Sequence, residues 1–334
     1  MKDALAQLVA ACQNLNVGPA TSILPHTKEF LETSIELNNL KDLHPTTNQQ
    51  QPITFIDGGS NDILRSSSLN IQFHKIATVT FKGNTRIKQD TYSYFLLTQT
   101  KVSESKIIIH SKVIPQSDLP STFILEKEIS HDDSILTNDN RLSQAGSLIR
   151  KWNERNLLLH LCEKSTNQLF VLDGKTYLKD SIETGIHESI ASHATNNNNS
   201  VIAFAKTSTI FANNGMPAQL TLKHLAPQTP WYYTPLTQGK IKNALCKLHS
   251  GSRHIFYIEI LHNPHSHEEI FKALQFHSQD PAFPGYPYGL IVADQLARVS
   301  NEEADTIKAM YAHKWSQSEL HESTQNAHDI LDSM

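Results

Sequence analysis

Cysteine is scarce in this chain of 334 residues: Cys12, Cys162 and Cys246 stand far apart, their number is odd, and no Cys-x-x-Cys pair exists. A disulfide scaffold and a cysteine-based zinc centre are thereby excluded. Long apolar runs are missing as well. No stretch approaches the roughly 20 apolar residues of a membrane helix, so no membrane is expected as a partner. The N-terminal LAQLVAAC, interrupted by Gln7, is too short for a secretory h-region, and a cytoplasmic protein is expected. With 12 glycines and 14 prolines the chain is neither collagenous nor of low complexity, and at 39% hydrophobic and 19% charged residues it falls outside the disordered class.

A basic excess is also lacking. The formal net charge is −4 with 18 histidines counted neutral, so any contact with nucleic acid must be local. Mild acidity is compatible with a cluster of carboxylates that holds a divalent metal, because such a cluster adds negative charge to the metal-free chain. The length allows one large domain or two ordinary ones, either with a real core.

What is there begins with two amphipathic patterns, Lys2–Leu15 and Thr27–Leu40, which predict an N-terminal helical arm; the polar run Thr46–Gln51 reads as a linker. The reading is an arm and linker over residues 1–50, a core domain over 51–315 and a polar tail over 316–334. The core opens on ITFIDGGS (Ile53–Ser60), an apolar run that predicts a buried strand ending in a tight turn at Asp-Gly-Gly. Two stretches rich in Thr, Val, Ile and Tyr, Phe73–Phe81 and Tyr92–Val113, predict antiparallel strands. Arg141–Glu163 has apolar residues at spacings of three and four, the pattern of a helix with one buried face. Strand, helix and strand signals then alternate through LFVLDGK (Leu169–Lys175), VIAFAKTST (Val201–Thr209) and HIFYIEIL (His254–Leu261), with a helix near His267–His277. Strands in a row followed by strands alternating with helices predict an α/β fold with an RNase H-like mixed sheet flanked by helices.

Asp57 and Asp173 each end an apolar run immediately before glycine. An isolated Asp-Gly makes turns, but two of them after buried strands place two carboxylates where ligands gather. Two-metal phosphodiester chemistry needs several carboxylates to converge, since hard Mg²⁺ or Mn²⁺ prefers oxygen ligands. Glu154 in RKWNERNLL either lies on the solvated face, as helix charges usually do, or, being between Trp152 and Leu157–Leu159 and just before the strand of Asp173, faces the same cluster. Lys206, after a buried strand, suits a phosphate or simply reaches water. Tyr286 and Tyr288 flank a rigid proline in PGYPYGL and either meet a ligand or fill the core. Asp294 either completes the carboxylate set or sits solvated on its helix. His262, His265 and His267 invite a metal reading, but Ser266 and Glu269 form a capping box that starts the next helix, which favours an ordinary surface loop.

In order, FIDGGS, RKWNERNLL, LFVLDGK, VIAFAKTS and PGYPYGLIVADQLARVS resemble the NurA-type nucleases, DNA-end-processing enzymes with a core akin to RNase H and PIWI domains. The resemblance runs from Phe55 to about Ala304, and the last block is its most specific piece. It implies a 5′→3′ exonuclease or single-strand endonuclease dependent on Mn²⁺ or Mg²⁺, with Asp57, Glu154 and Asp173 as metal-binding carboxylates. Tyr286 or Tyr288 would correspond to the family's C-terminal tyrosine, and Lys206 resembles its lysine after the third core strand. Asp294 stands about where well-known members carry a histidine, which makes it a fourth candidate ligand. The implied partners are DNA, a HerA-type hexameric ATPase and a second copy of the chain. Two alternatives follow from the missing histidine and the shared scaffold: a catalytically inert adaptor of a HerA-type ATPase, and a nuclease acting on RNA.

Overall fold

Parallel strands buried on both faces need continuous apolar runs, whereas strands that return by tight turns tolerate alternation. The chain supplies both and combines them in one large sheet, beside a small three-stranded one. The computed structural model describes residues 19–24, 32–45, 50–104, 106–136, 140–176, 181–239 and 241–315, with Ala4, Leu5 and Gln7. Its strands are β1 (Ser22–Leu24), β2 (Thr33–Ser34), β3 (Leu40–Asp42), β4 (Ile53–Arg65), β5 (Leu69–Lys82), β6 (Thr85–Ser103), β7 (Lys106–Pro115) and β8 (Glu126–Ser130). They continue with β9 (Leu169–Asp173), β10 (Ser200–Ala205), β11 (Phe211–Ala212), β12 (Trp231–Tyr233), β13 (Lys242–Lys247) and β14 (Phe256–His262). The helices are α1 (Arg141–Lys164), α2 (Ser181–Asn196), α3 (Ala218–Leu225), α4 (His267–Phe276), α5 (Tyr288–Ala297) and α6 (Asn301–Trp315).

Eleven strands form a mixed sheet in the order β3-β12-β13-β14-β10-β9-β4-β5-β6-β7-β8, and the small sheet has the order β11-β1-β2. The centre, β10-β9-β4, is parallel, and β5 to β8 follow as an antiparallel meander. This is the mixed, RNase H-like arrangement expected from the order of strand and helix signals. Side chains alternate between two faces. Phe55, Val171, Ile202 and Ile258 pack beneath α4 and α5, while Ile56, Leu172 and Val201 pack beneath α1 and α2 with Trp152, Leu157 and Ile190. A third cluster, including Ile23, Trp231, Tyr233 and Leu245, is covered by α3. Ser266 caps α4 by accepting the Glu269 N–H, as the S-x-x-E pattern predicts.

Two expectations are corrected. Strand β4 does not stop at Asp-Gly-Gly but runs through it to Arg65, paired with β5 as Asp57–Ala77, Gly58–Ile76 and Gly59–Lys75. These glycines answer a need for space rather than for a turn. A Cβ at Gly58 would strike the Glu154 carboxylate, and one at Gly59 would strike the Ala297 carbonyl. By contrast, Gly174 after Asp173 has φ +94° and does turn the chain.

The second correction concerns the N-terminal arm. Residues 32–40 are not helical beyond a single 3-10 turn at Leu37–Asn39; Leu40–Asp42 pairs with β12, and Ile35 and Leu40 pack on the third cluster. Strand pairing and burial here outweigh a local helical pattern. The helix expected at Lys2–Leu15, nearly all of the expected linker and the tail from residue 316 lie outside the described residues.

Gly289 lets α5 lie directly on β4, since a methyl there would overlap the Phe55 ring. Gly289→Ala gains up to about 1 kcal/mol of helix propensity but overpacks the core by about 1–3 kcal/mol. Net destabilisation is expected in urea unfolding, and an unchanged midpoint would refute the contact.

His277, 7% exposed among Phe55, Phe81 and Phe276, is held by burial at a pKa of about 4, below the ordinary 6.5. Between pH 6.5 and 4 the unfolded chain binds a proton that the folded chain refuses. Stability therefore falls on acidification, by up to about 1.4 kcal/mol per pH unit for this group. His277→Phe should flatten that slope in denaturant titrations at successive pH values.

Candidate active site

The register of the parallel centre sets the site. Ile56 pairs with Leu172, and one residue further along each strand stand Asp57 and Asp173. Both carboxylates thus leave adjacent strands on the α5 face, at the level where β9 ends. From the opposite face, α1 brings Glu154, 5% exposed, against the bare backbone of Gly58. Asp294 approaches from α5 and is bound by Arg298 one turn on, Nη2 to Oδ2 at 2.9 Å.

Like charges crowd Asp57. Its pKa is pushed up to about 8, by burial first, then by Asp173 and Glu154, with Asp294 contributing less; only the Gly58 N–H, 2.7 Å from Oδ1, acts in the other direction. At neutral pH this carboxyl holds a proton in the metal-free protein. Asp173 has different company: the Tyr286 hydroxyl donates to Oδ1 at 3.4 Å and the Lys206 ammonium lies 3.5 Å from Oδ2. Lys206 also sits 5.2 Å from the centroid of the Tyr286 ring. Tyr286 packs on Phe204 and Phe256, and its hydroxyl is held well above the ordinary tyrosine pKa by burial and by Asp173. It stays protonated and a donor.

The structure therefore gathers Asp57, Asp173, Glu154, Asp294, Lys206 and Tyr286 around the ends of β9 and β10. Tyr288 goes elsewhere, with its ring 6.2 Å from that of Phe81. Of the two tyrosines left open by the sequence, Tyr286 is the one that touches a site carboxylate.

Arg150 was not singled out from the sequence. One turn before Glu154 on α1, it donates to Glu154 Oε1 and to the Gly58 carbonyl. The i,i+4 spacing of Arg and Glu in RKWNE is its sequence signal. The Thr176–Glu259 contact was missed too: Glu259 on β14 accepts from the Thr176 N–H at 2.6 Å and hydroxyl at 2.5 Å, tying down the loop that follows Asp173.

Among the described residues, no three His, Cys, Asp or Glu side chains converge closely enough to hold a metal as they stand. Arg150 draws Glu154 aside, so carboxylates that feel one another's charge do not meet at one point. The donor set itself, all hard oxygen, suits a divalent cation of the Mg²⁺ or Mn²⁺ class. Such a cation would replace the proton that crowding forces on Asp57.

The NurA nuclease from Sulfolobus solfataricus superposes with a TM-score of 0.52 over 84% of this chain and 89% of that one, at 13% identity. The fold is that of a NurA nuclease. Endonuclease V from Ciona intestinalis (TM-score 0.39, 10% identity, 91% of this chain and 99% of that one) and the Argonaute of A. aeolicus (TM-score 0.34, 11% identity, 76% and 29%) are more distant. No family model and no curated protein matches the chain by sequence. The NurA fold is thus visible in three dimensions where overall sequence similarity has faded.

Removing Arg150 should expose its role. Arg150→Met leaves Glu154 buried and unpaired, for an expected loss of about 3 kcal/mol, and adding Glu154→Gln should recover part of it. A double-mutant cycle in urea measures the coupling, and strictly additive effects would show that the pair is not formed.

Proposed function

We propose that this NurA-fold protein is a divalent-metal-dependent deoxyribonuclease that processes DNA ends. The observation that supports this most is the side-by-side placement of Asp57 and Asp173 on parallel strands, with Glu154 and Asp294 pressing on Asp57 and with Lys206 and Tyr286 on Asp173. In this reading Asp57, Asp173, Glu154 and Asp294 would hold the cation. Bound there, Mn²⁺ or Mg²⁺ supplies Lewis acidity toward a phosphate and lowers the pKa of water.

The chain's own residues do the rest. Asp57, protonated near neutral pH, would have to be ionised to serve as a ligand, and Glu154 would have to leave Arg150. Lys206, with a more exposed ammonium than the carboxylates around it, neutralises charge on the phosphate as the fifth bond forms. Tyr286 remains protonated, orients Asp173 and offers its hydroxyl to a phosphate oxygen or its ring edge to a terminal base.

DNA is the substrate in this proposal, and a HerA-type hexameric ATPase together with a second copy of the chain are its partners. One observation favours the inert adaptor as a second reading: Glu154 is already satisfied by Arg150.

End-labelled duplex and single-stranded DNA, incubated with Mn²⁺, Mg²⁺ or EDTA, test the proposal. Metal-dependent cleavage is expected, reduced about 10³-fold in Asp57→Ala and in Asp173→Ala, since each ligand carries several kcal/mol of transition-state stabilisation. RNA of the same sequence should be spared. Absence of cleavage in folded protein that still co-elutes with the ATPase would favour the adaptor, and protein that neither dimerises nor co-elutes would remove both partners.

A further inference from the structure

Three strands across the same sheet from Asp173, a cavity of about 230 Å³ is lined by Lys223, Gln228, Trp231, Lys247, Ser252 and Arg253. Its position follows from register. Asp173 is level with Phe204, Phe204 with Ile258, and Ile258 with Ala244, so Lys247 lies three strands across and three residues further out. That is about 14 Å laterally and about 10 Å outward. Lys247 shares its side of the sheet with Leu245 and so points to the face opposite Asp173, at the same end of the strands.

The cavity is cationic without internal compensation. Lys247 is only 7% exposed, yet none of the ion pairs among the described residues includes Lys247, Lys223 or Arg253. Its ammonium donates to the Gln228 carbonyl at 2.6 Å and lies 3.4 Å from Gln228 Oε1, which leaves donor capacity unspent. Burial and the nearby Lys223 charge both act against its protonation, so the site as it stands disfavours the charge it carries. Lys223 and Arg253 are exposed, and Lys223 donates to the Arg253 carbonyl at 3.4 Å. A part-buried ammonium flanked by two solvated cations, with no ion pair among the described residues, is stabilised by an anion.

The cavity is also joined to the candidate active site. Gly285, at φ +91°, lies so close to Ser252 that an added Cβ would come within 2.7 Å of the serine Cβ. The next residue is Tyr286, which reaches Asp173. The wall of the cavity and the tyrosine of the site thus share one packed corner.

We infer that the Lys223–Lys247–Arg253 cavity is a phosphate subsite that grips the backbone of the nucleic-acid strand a few nucleotides from the scissile bond at Asp173. This rests on the nuclease reading. A strand gripped at this distance must pass over the sheet edge to reach Asp173, so only substrates longer than a few nucleotides use both places. Recognition is by phosphate, and base sequence is not read there.

The test is oligonucleotide binding by fluorescence anisotropy in EDTA, where no cleavage intervenes, over a range of salt. Lys223→Gln/Arg253→Gln, at two exposed positions, is expected to weaken binding about tenfold near 0.1 M salt and to reduce the salt slope by about 2. Lys247→Met, which keeps the buried stem, should act in the same direction, while Lys247→Arg retains binding. Cleavage of a dinucleotide, too short to span, should be unaffected by the double variant. Wild type and double variant binding DNA equally, with equal salt slopes, would overturn the subsite and leave the nuclease reading standing. Failure of the wild type to bind any oligonucleotide would overturn both.

Discussion

The geometry of this protein depends on a stretch of strand with nothing on it. At Gly58 and Gly59 the backbone of β4 is bare on both faces, and both faces are used: the Glu154 carboxylate and the Arg150 guanidinium close on one, and the C-terminal carbonyl of α5 closes on the other. Any side chain there would hold the helices off. With the helices at a distance, Glu154 and Asp294 would lose their influence on Asp57, and the carboxylates would be four separate surface charges. The loss of strand propensity at two consecutive glycines is offset by their pairing with Ile76 and Lys75 of β5.

Close approach concentrates negative charge, and the surrounding structure handles each part differently. Asp57 answers with a proton, Glu154 with Arg150, Asp173 with Lys206 and the Tyr286 hydroxyl, and Asp294 with Arg298. Each arrangement is local and reversible. A multivalent cation is the one counter-charge that can answer more than one carboxylate at a time. The cationic cavity around Lys247 is the mirror case, positive charge held without an ion pair among the described residues, and the two lie three strands apart on opposite faces of the sheet.

Much of this was legible in the sequence. Apolar runs that end in Asp identified Asp57 and Asp173, and the order of strand and helix signals carried the mixed sheet. The Asp-Gly-Gly of β4 was misread as a turn, because a glycine required for a left-handed angle and a glycine required for close contact look the same in one dimension. The helical pattern expected over Thr27–Leu40 gives way in residues 32–40 to tertiary partners, and the strand that begins at Leu40 pairs with Trp231–Tyr233, almost 200 positions away. The Tyr286 or Tyr288 choice needed the direction of two side chains on either side of a proline. The Lys223, Lys247 and Arg253 cavity was invisible for another reason: its cations come from a helix, a strand and a loop, and no local run of basic residues marks it.

The two outermost strands of the large sheet are short, and their sequences are Leu-Lys-Asp in β3 and Glu-Lys-Glu-Ile-Ser in β8. Unpaired backbone at a sheet margin is a template for further strands, and charge on a brief margin is the usual protection against it. Among the described residues, the margins of the eleven-stranded sheet are three and five residues long. Among the described residues, self-association that extends the large sheet from these margins is thereby disfavoured.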